Sequence, residues 1–254
     1  MSLSETAENE STVIALEAPR DGLPHVIETL PELEAAVIAL RNGAGPVAID
    51  AERASGYRYS ARAYLVQIRR NGAGSFLIDP TAFDSLKTVN EALVDAEWIL
   101  HAATQDLACL REIDIYPTHL FDTEHAGRLL GKSRVGLSPL LESEMNISLA
   151  KEHSAADWST RPIPEAWLIY AALDVELLIE LREILLTQLI ERERHHWALQ
   201  DFAYLTTWQP APAGEDPWRK LSGIHNLKNP RQLAIARDIW NWRDETARER
   251  DRAI

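Results

Sequence analysis

The amino-acid sequence predicts an α/β domain followed by a short helical segment. Three observations carry that prediction. Apolar runs of strand length, GPVAIDAE at 45–52, AYLVQIRR at 63–70 and GSFLIDP at 74–80, share the first 207 residues with stretches of helical periodicity. The three runs succeed one another with short connections, NGAG between the second and third, which suggests an antiparallel meander. QPAPAGEDP at 209–217 is a Pro/Gly/acid stretch of linker type, and the segment beyond it, 218–254, is helical and basic.

The elements are read in chain order. Residues 1–20 are polar and acidic and read as a mobile arm. His25-Val26-Ile27 begins a short strand, and a helix opens at Thr29 with Pro31 in its first turn, stopping at Gly43 and Gly45. Residues 81–96 form an amphipathic helix, 97–103 a short strand, and 105–113 the start of another helix. FDTEHAGRLLG has a helix start at Asp122 or Thr123 and a glycine stop at Gly131. A further short helix covers 135–146, and KEHSAADWSTRPIP at 151–164 is a long polar loop of the kind that is often functional. A long helix spans about 165–190 and another about 191–207.

Composition excludes several classes. The chain has 254 residues, of which 46% are hydrophobic and 26% charged, so neither a disordered nor a collagen-like chain fits. A lone cysteine, Cys109, can form no internal disulfide and no Cys-type zinc site, which predicts a reducing compartment and no disulfide-linked partner. The start MSLSETAENE lacks the basic and apolar regions of a signal peptide, and the apolar stretch at 168–190 is broken by Asp174, Glu176, Glu180, Arg182 and Glu183. No membrane association and a cytoplasmic location are expected. The net charge of −13 argues against a surface built to coat nucleic acid, but it conceals a gradient. Residues 1–45 carry eight acids and two bases, whereas 217–254 carry nine bases and five acids.

The residues that can carry chemistry are carboxylates. Asp50 and Glu52 lie two apart on an apolar strand and therefore on one face. Two adjacent carboxylates resist burial, and a hard divalent cation such as Mg²⁺ or Mn²⁺ relieves both. The alternative is a strand end reaching solvent. Tyr170 and Asp174 share one face of a helix, with Asp174 interrupting the apolar stripe of Leu173, Leu177 and Leu178. Asp106 follows HAATQ at a strand-to-helix junction, where an ordinary first-turn acid is also favoured. The ordered set is more informative than any member. Four carboxylates can hold two cations about 3.5–4 Å apart, an arrangement suited to phosphodiester cleavage.

With these residues in view, the sequence resembles ribonuclease D, of the 3′–5′ exonuclease superfamily with four acidic residues and a tyrosine. The first motif matches as AIDAE, the second as HAATQDLACL and the third as YAALDVELL. YLVQI, FLIDP, FDTEHAGRLLG and KEHSAADWSTRPIP match between them, and WRKLSGIHNL with RQLAIARDIWNWRDETARERD resembles the opening of a helicase-and-RNase-D C-terminal (HRDC) domain.

The resemblance implies a ribonuclease-H-like mixed β-sheet flanked by helices, followed by a partial all-α HRDC segment. The domains would be an arm at 1–20, an exonuclease domain at 21–208, a linker at 209–217 and the N-terminal part of an unfinished HRDC domain at 218–254. It implies two divalent cations held by Asp50, Glu52, Asp106 and Asp174, with Tyr170 positioning or deprotonating the hydrolytic water. The implied activity is monomeric 3′–5′ exoribonuclease action on tRNA-like 3′ ends, releasing nucleoside 5′-monophosphates. The rivals are a DNA 3′–5′ exonuclease and an inactive RNA-binding scaffold.

Candidate substrate contacts are Tyr59, Arg62, His101, Gln105 and Arg161. Arg161 is the phosphate candidate of its loop, and Tyr57 and Arg58 are further candidates to stack on bases or contact phosphates. His101 reads first as a satisfied structural histidine, Trp158 as a packing residue, and Asp122 as a helix cap rather than a metal ligand. The tail tryptophans Trp208, Trp218, Trp240 and Trp242 are expected to pack. Family members usually carry an aromatic or apolar residue after the glutamate of the first motif; here Arg53 stands there.

Overall fold

The computed structural model of the chain describes residues 13–149, 155–212 and 214–254. Residues 1–12 of the expected arm, and Lys151 in the polar loop, lie outside the described residues. The strands are β1 (Ile14–Leu16), β2 (Val26–Ile27), β3 (Ala44–Arg53), β4 (Ala63–Asn71), β5 (Gly74–Ile78), β6 (Glu97–Leu100), β7 (His119–Asp122) and β8 (Ile147–Leu149). The helices are α1 (Leu30–Asn42), α2 (Lys87–Ala92), α3 (Leu107–Arg111), α4 (Thr123–Leu129), α5 (Leu137–Met145), α6 (Glu165–Glu176), α7 (Leu178–Glu191), α8 (His195–Thr207) and α9 (Pro230–Glu249).

The main sheet has the order β2-β5-β4-β3-β6-β7. The meander β3-β4-β5 is antiparallel as the sequence predicts, while β6 and β7 extend it in parallel, giving the mixed sheet. β3 lies inside the sheet, between β4 and β6, and is buried on both faces, which is why it reads as a nearly unbroken apolar run. One face packs Val47 and Ile49 against Leu33, Val37, Leu40, Val89 and Leu110. The other packs Ala48 against Leu173, Leu177, Leu181 and Leu185, and β4 presents Leu65 to Ala171 and Ala172 of α6. Helices thus cover both sides. Thr29 and Glu32 form a reciprocal capping box at the start of α1.

The structure corrects several sequence expectations. Within the expected arm, Ile14–Leu16 form β1, which pairs in parallel with β8 in a small second sheet. The single helix expected over 165–190 is two helices, broken at Leu177. The break buries Glu176, whose carboxylate takes Arg20 Nε at 2.7 Å while Arg20 Nη2 donates to the Glu176 carbonyl at 3.0 Å. Arg20 therefore satisfies a carbonyl that the ending helix leaves unpaired. The helix expected over 81–96 shrinks to a 3₁₀ turn at Pro80–Ala82 and the short α2. β7 is an additional strand.

Beyond the linker, the tail docks on the loop after β3. Tyr59 Oη donates to Asp244 at 3.0 Å, Ser60 N to Asp251 at 2.8 Å, and Ala253 N to the Tyr57 carbonyl at 3.1 Å. Trp218 is buried as expected, but Trp242 is 67% exposed and does not pack. No helix among the described residues is long and apolar enough to cross a membrane.

Candidate active site

The alternation of β3 puts Asp50 and Glu52 on the same side as Ala48, facing α6. α6 starts at the end of the polar loop and crosses this face, carrying Tyr170 and Asp174 one turn apart. The sequence separates these acids by more than 120 residues; the packing of α6 on β3 unites them. Ligand oxygens of Asp50, Glu52 and Asp174 all lie within 4.8 Å of one another. Asp106 joins them from the junction between β6 and α3, where its carboxyl and that of Asp50 share a hydrogen bond. Tyr170 is hydrogen-bonded to Asp174. These five residues line a cleft of about 220 Å³ together with Arg53, His101, Gln105, Leu137 and Leu178.

The electrostatics are those of a site that wants cations. Burial pushes the carboxyls of Glu52, Asp106 and Asp174 well above the usual carboxylate range, and their mutual repulsion adds to it. Asp50 is also raised, by burial first, with Arg53 and hydrogen bonds opposing. In the cleft without cations, these groups hold protons that an ordinary Asp or Glu gives up. The donor set is entirely oxygen, which suits hard divalent ions and not Zn²⁺ held by sulfur and nitrogen. Burial and the neighbouring carboxylates also raise the Tyr170 phenol, so it keeps its proton here.

The junction carrying Asp106 is held from behind. Ala102 adopts a left-handed conformation with φ of 58°, unusual for a residue other than glycine. Buried Asp122 secures it by accepting from Ala102 N at 3.1 Å and Ala103 N at 2.8 Å. The same carboxylate accepts from His125 N at 3.0 Å and so caps α4, as expected. Its second role, fixing the turn before Asp106, is invisible to a local reading.

The substrate candidates separate on inspection. His101 and Gln105 line the cleft. His101 Nδ1 is 2.9 Å from Thr123 Oγ1, and burial holds the imidazole below its ordinary pKa. The other three lie outside the cleft lining. Arg161 spends its guanidinium on Asp79, at 2.6 Å, and on the carbonyls of Tyr64, Trp158 and Thr160. It braces the 155–164 loop with donations to four protein acceptors, rather than standing free for the phosphate contact expected. Tyr59 is engaged by the tail, and Arg62 stacks on the Tyr64 ring at 4.8 Å. Tyr57 and Arg58 bind the same loop, through Ala155 O and Ser159 Oγ. Trp158 is fully buried and simply packs. Arg53, by contrast, enters the cleft with Nη2 3.6 Å from Asp106 Oδ1. The charge written directly after Asp-x-Glu was the signal for it.

Comparison with known proteins agrees with this geometry. Residues 24–190 match the 3′–5′ exonuclease family. Ribonuclease D of Jannaschia sp. is 33% identical over 239 residues, which cover 90% of this chain and 61% of that protein. A crystal structure of a protein from Bifidobacterium adolescentis superposes with a TM-score of 0.91 at 45% identity, covering 94% of this chain and 60% of that one. Escherichia coli RNase D, described as an exoribonuclease involved in structured RNA processing, gives a TM-score of 0.71 at 28% identity, covering 91% and 62%. The chain spans about three-fifths of the length of each of these three.

Proposed function

The chain belongs to the 3′–5′ exonuclease family, and from that premise we propose that it is a metal-dependent exoribonuclease of the ribonuclease D type. Its substrates would be the 3′ ends of tRNA precursors and other structured RNAs, and its products nucleoside 5′-monophosphates. It would act as a monomer in the cytoplasm. The observation that carries the reading is the convergence of Asp50, Glu52 and Asp174 within 4.8 Å, completed by Asp106 on Asp50 and Tyr170 on Asp174. A scaffold has no use for four carboxylates crowded at the cost of their own ionisation.

In this reading Asp50, Glu52, Asp106 and Asp174 would hold two divalent cations, Mg²⁺ or Mn²⁺. Such ions supply an acidified water and neutralise charge on the leaving oxygen. The protein supplies placement. Tyr170, hydrogen-bonded to Asp174, would position or deprotonate the attacking water. His101, neutral and held by Thr123, offers a polar wall for the terminal nucleotide. Gln105 offers a second one from the turn before α3.

The test is incubation of labelled single-stranded RNA and matched DNA with the protein and Mg²⁺ or Mn²⁺. RNA shortened stepwise from its 3′ end, with 5′-monophosphates released, is the expected result. Preferential hydrolysis of DNA would reassign the substrate. Binding of RNA without hydrolysis of either polymer would make the chain a scaffold and end the enzymatic reading.

A further inference from the structure

Arg53 ends β3, one residue past Glu52. In an unbroken strand it would project from the face opposite Glu52, away from the acids. The register of β3 on β4 shifts between Glu52 and Arg53. Such irregularities re-aim side chains near active sites, and Arg53 lines the acidic cleft. Its Nη2 stands 3.6 Å from Asp106 Oδ1, farther than the roughly 2.7–2.9 Å of a charge-assisted hydrogen bond. Among the described residues its guanidinium donates no hydrogen bond. The arginine is a partial counter-ion with its donor fork unspent.

Exposed arginines such as Arg41 and Arg134 also donate no side-chain hydrogen bond among the described residues, but the other arginines that are not exposed, Arg58, Arg69, Arg70, Arg111, Arg182 and Arg194, each donate at least one. Arg161 donates to four acceptors and Arg20 to Glu176 and Glu180. An arginine whose donors meet no acceptor among the described residues, 27% exposed in a cleft whose other charged groups are acids, is arranged for an anion that arrives later. Asp106 cannot be its permanent partner if the carboxylates take up divalent cations.

We propose that Arg53 is an exchangeable counter-ion: it balances Asp106 in the cation-free cleft and turns to a non-bridging phosphate oxygen of the RNA 3′ end once cations occupy the carboxylates. The proposal rests on the metal-dependent exonuclease reading. It gives Arg53 two effects of opposite sign. As a cation beside a ligand it opposes metal entry; as a phosphate donor it favours RNA. A side chain that merely supports the fold would weaken both together.

The experiment titrates the whole chain with Mn²⁺ calorimetrically, for the wild type and for Arg53→Leu, Arg53→Lys and Asp174→Asn. RNA affinity is then read by fluorescence anisotropy in Mn²⁺, using a 5′-labelled oligoadenylate whose last linkage is a phosphorothioate. Arg53→Leu should bind Mn²⁺ about fivefold more tightly and RNA about tenfold more weakly. Its salt dependence of RNA affinity should lose one phosphate contact, a slope smaller by about 0.7. Arg53→Lys, which keeps the charge and loses the fork, should match the wild type in Mn²⁺ affinity and fall between the two in RNA affinity. Unchanged or weaker Mn²⁺ binding by Arg53→Leu overturns the counter-ion role. Unchanged RNA affinity and slope overturn the phosphate role. Absence of Mn²⁺ binding by the wild type would instead overturn the metal reading, and the Asp174→Asn titration separates that outcome from a site that binds elsewhere.

Discussion

Two groups of buried acids in this molecule are treated in opposite ways. Asp79, at the end of β5, accepts Arg161 Nε at 2.6 Å, Thr81 Oγ1 at 2.6 Å and Thr81 N at 2.8 Å. These bonds hold its carboxyl below the ordinary range in spite of burial. The four acids of the cleft have Arg53 at arm's length and one another for company, and their carboxyls are raised. Where the sequence supplies enough donors, a buried acid is a fastening. Where it withholds them, the acid is left available to bind. The difference lies in the partners, since both groups are buried carboxylates on or beside the same sheet.

The largest effect should come from breaking the unmatched group. Asp174→Asn removes one proposed ligand while keeping shape and the hydrogen bond with Tyr170. Turnover on RNA should fall at least about a thousandfold, equivalent to about 4 kcal/mol of barrier, with an unchanged circular dichroism spectrum. Activity within a few-fold of wild type would remove Asp174 from the reaction.

Breaking the matched group should give the converse result. Arg161→Leu leaves Asp79 buried with its charge only partly met, and frees the carbonyls of Tyr64, Trp158 and Thr160. A loss of about 2–3 kcal/mol in stability is expected, a little below that for a fully buried pair because Arg161 is partly exposed. Urea denaturation measures it. Turnover per folded molecule should stay close to wild type; a selective loss of RNA affinity with unchanged stability would restore the phosphate role that the sequence suggested for Arg161.

This arginine marks where sequence reading stops. Asp50 and Glu52 were legible because the strand period alone puts them together, and Tyr170 with Asp174 because the helix period does. Asp106 needed the resemblance, since its partner Asp50 is 56 positions earlier and nothing local ties a first-turn acid to a distant strand. Arg161 showed a basic residue before a proline but not the four acceptors that engage it. The break at Leu177 has no glycine or proline to announce it; burial of Glu176 with Arg20 and Arg69 goes with it. β7 runs into FDTEHAGRLLG, which reads locally as a helix start, and it is the parallel pairing with β6 that makes it a strand. In each case the missing information was a partner remote in sequence.

The two groups should also respond to pH with opposite signs. A carboxyl whose pKa is raised by folding contributes most at low pH, and that contribution is lost as pH rises through the folded value. In chelator, then, the wild type should lose stability relative to Asp174→Asn as pH climbs from about 4, the ordinary aspartate value, through the raised folded value. Asp174 faces Asp50, Glu52, Asp106 and Tyr170 in that cleft, with Arg53 and His101 on its walls. Saturating Mn²⁺ should reverse the order. Asp79 has a lowered pKa, so its contribution is complete above about pH 4 and disappears as pH falls through the lower folded value. Asp79→Asn should therefore approach the wild type at acidic pH. Thermal midpoints across pH test both, and parallel slopes for the two variants would dissolve the distinction between fastening and binding acids.

The smallest expected effect decides the standing of Tyr59. Its hydroxyl donates to Asp244 at 3.0 Å and accepts from Arg248 Nη2 at 3.2 Å. Asp244 keeps Arg248 at 2.7 Å in any case, so Tyr59→Phe removes one bond without orphaning a charge. The expected cost is about 1 kcal/mol or less, seen as a slightly lower thermal midpoint and faster proteolysis in the 209–217 linker, because the tail is held to the loop after β3 through Tyr59, Ser60 and Tyr57. RNA turnover should not change. Had Tyr59 stacked on a base instead, as the sequence suggested, the ring would remain in Tyr59→Phe and Tyr59→Ala alone would lower RNA affinity, by about 1–3 kcal/mol. Comparing the two variants therefore separates a hydroxyl that latches the tail from a ring that holds the substrate.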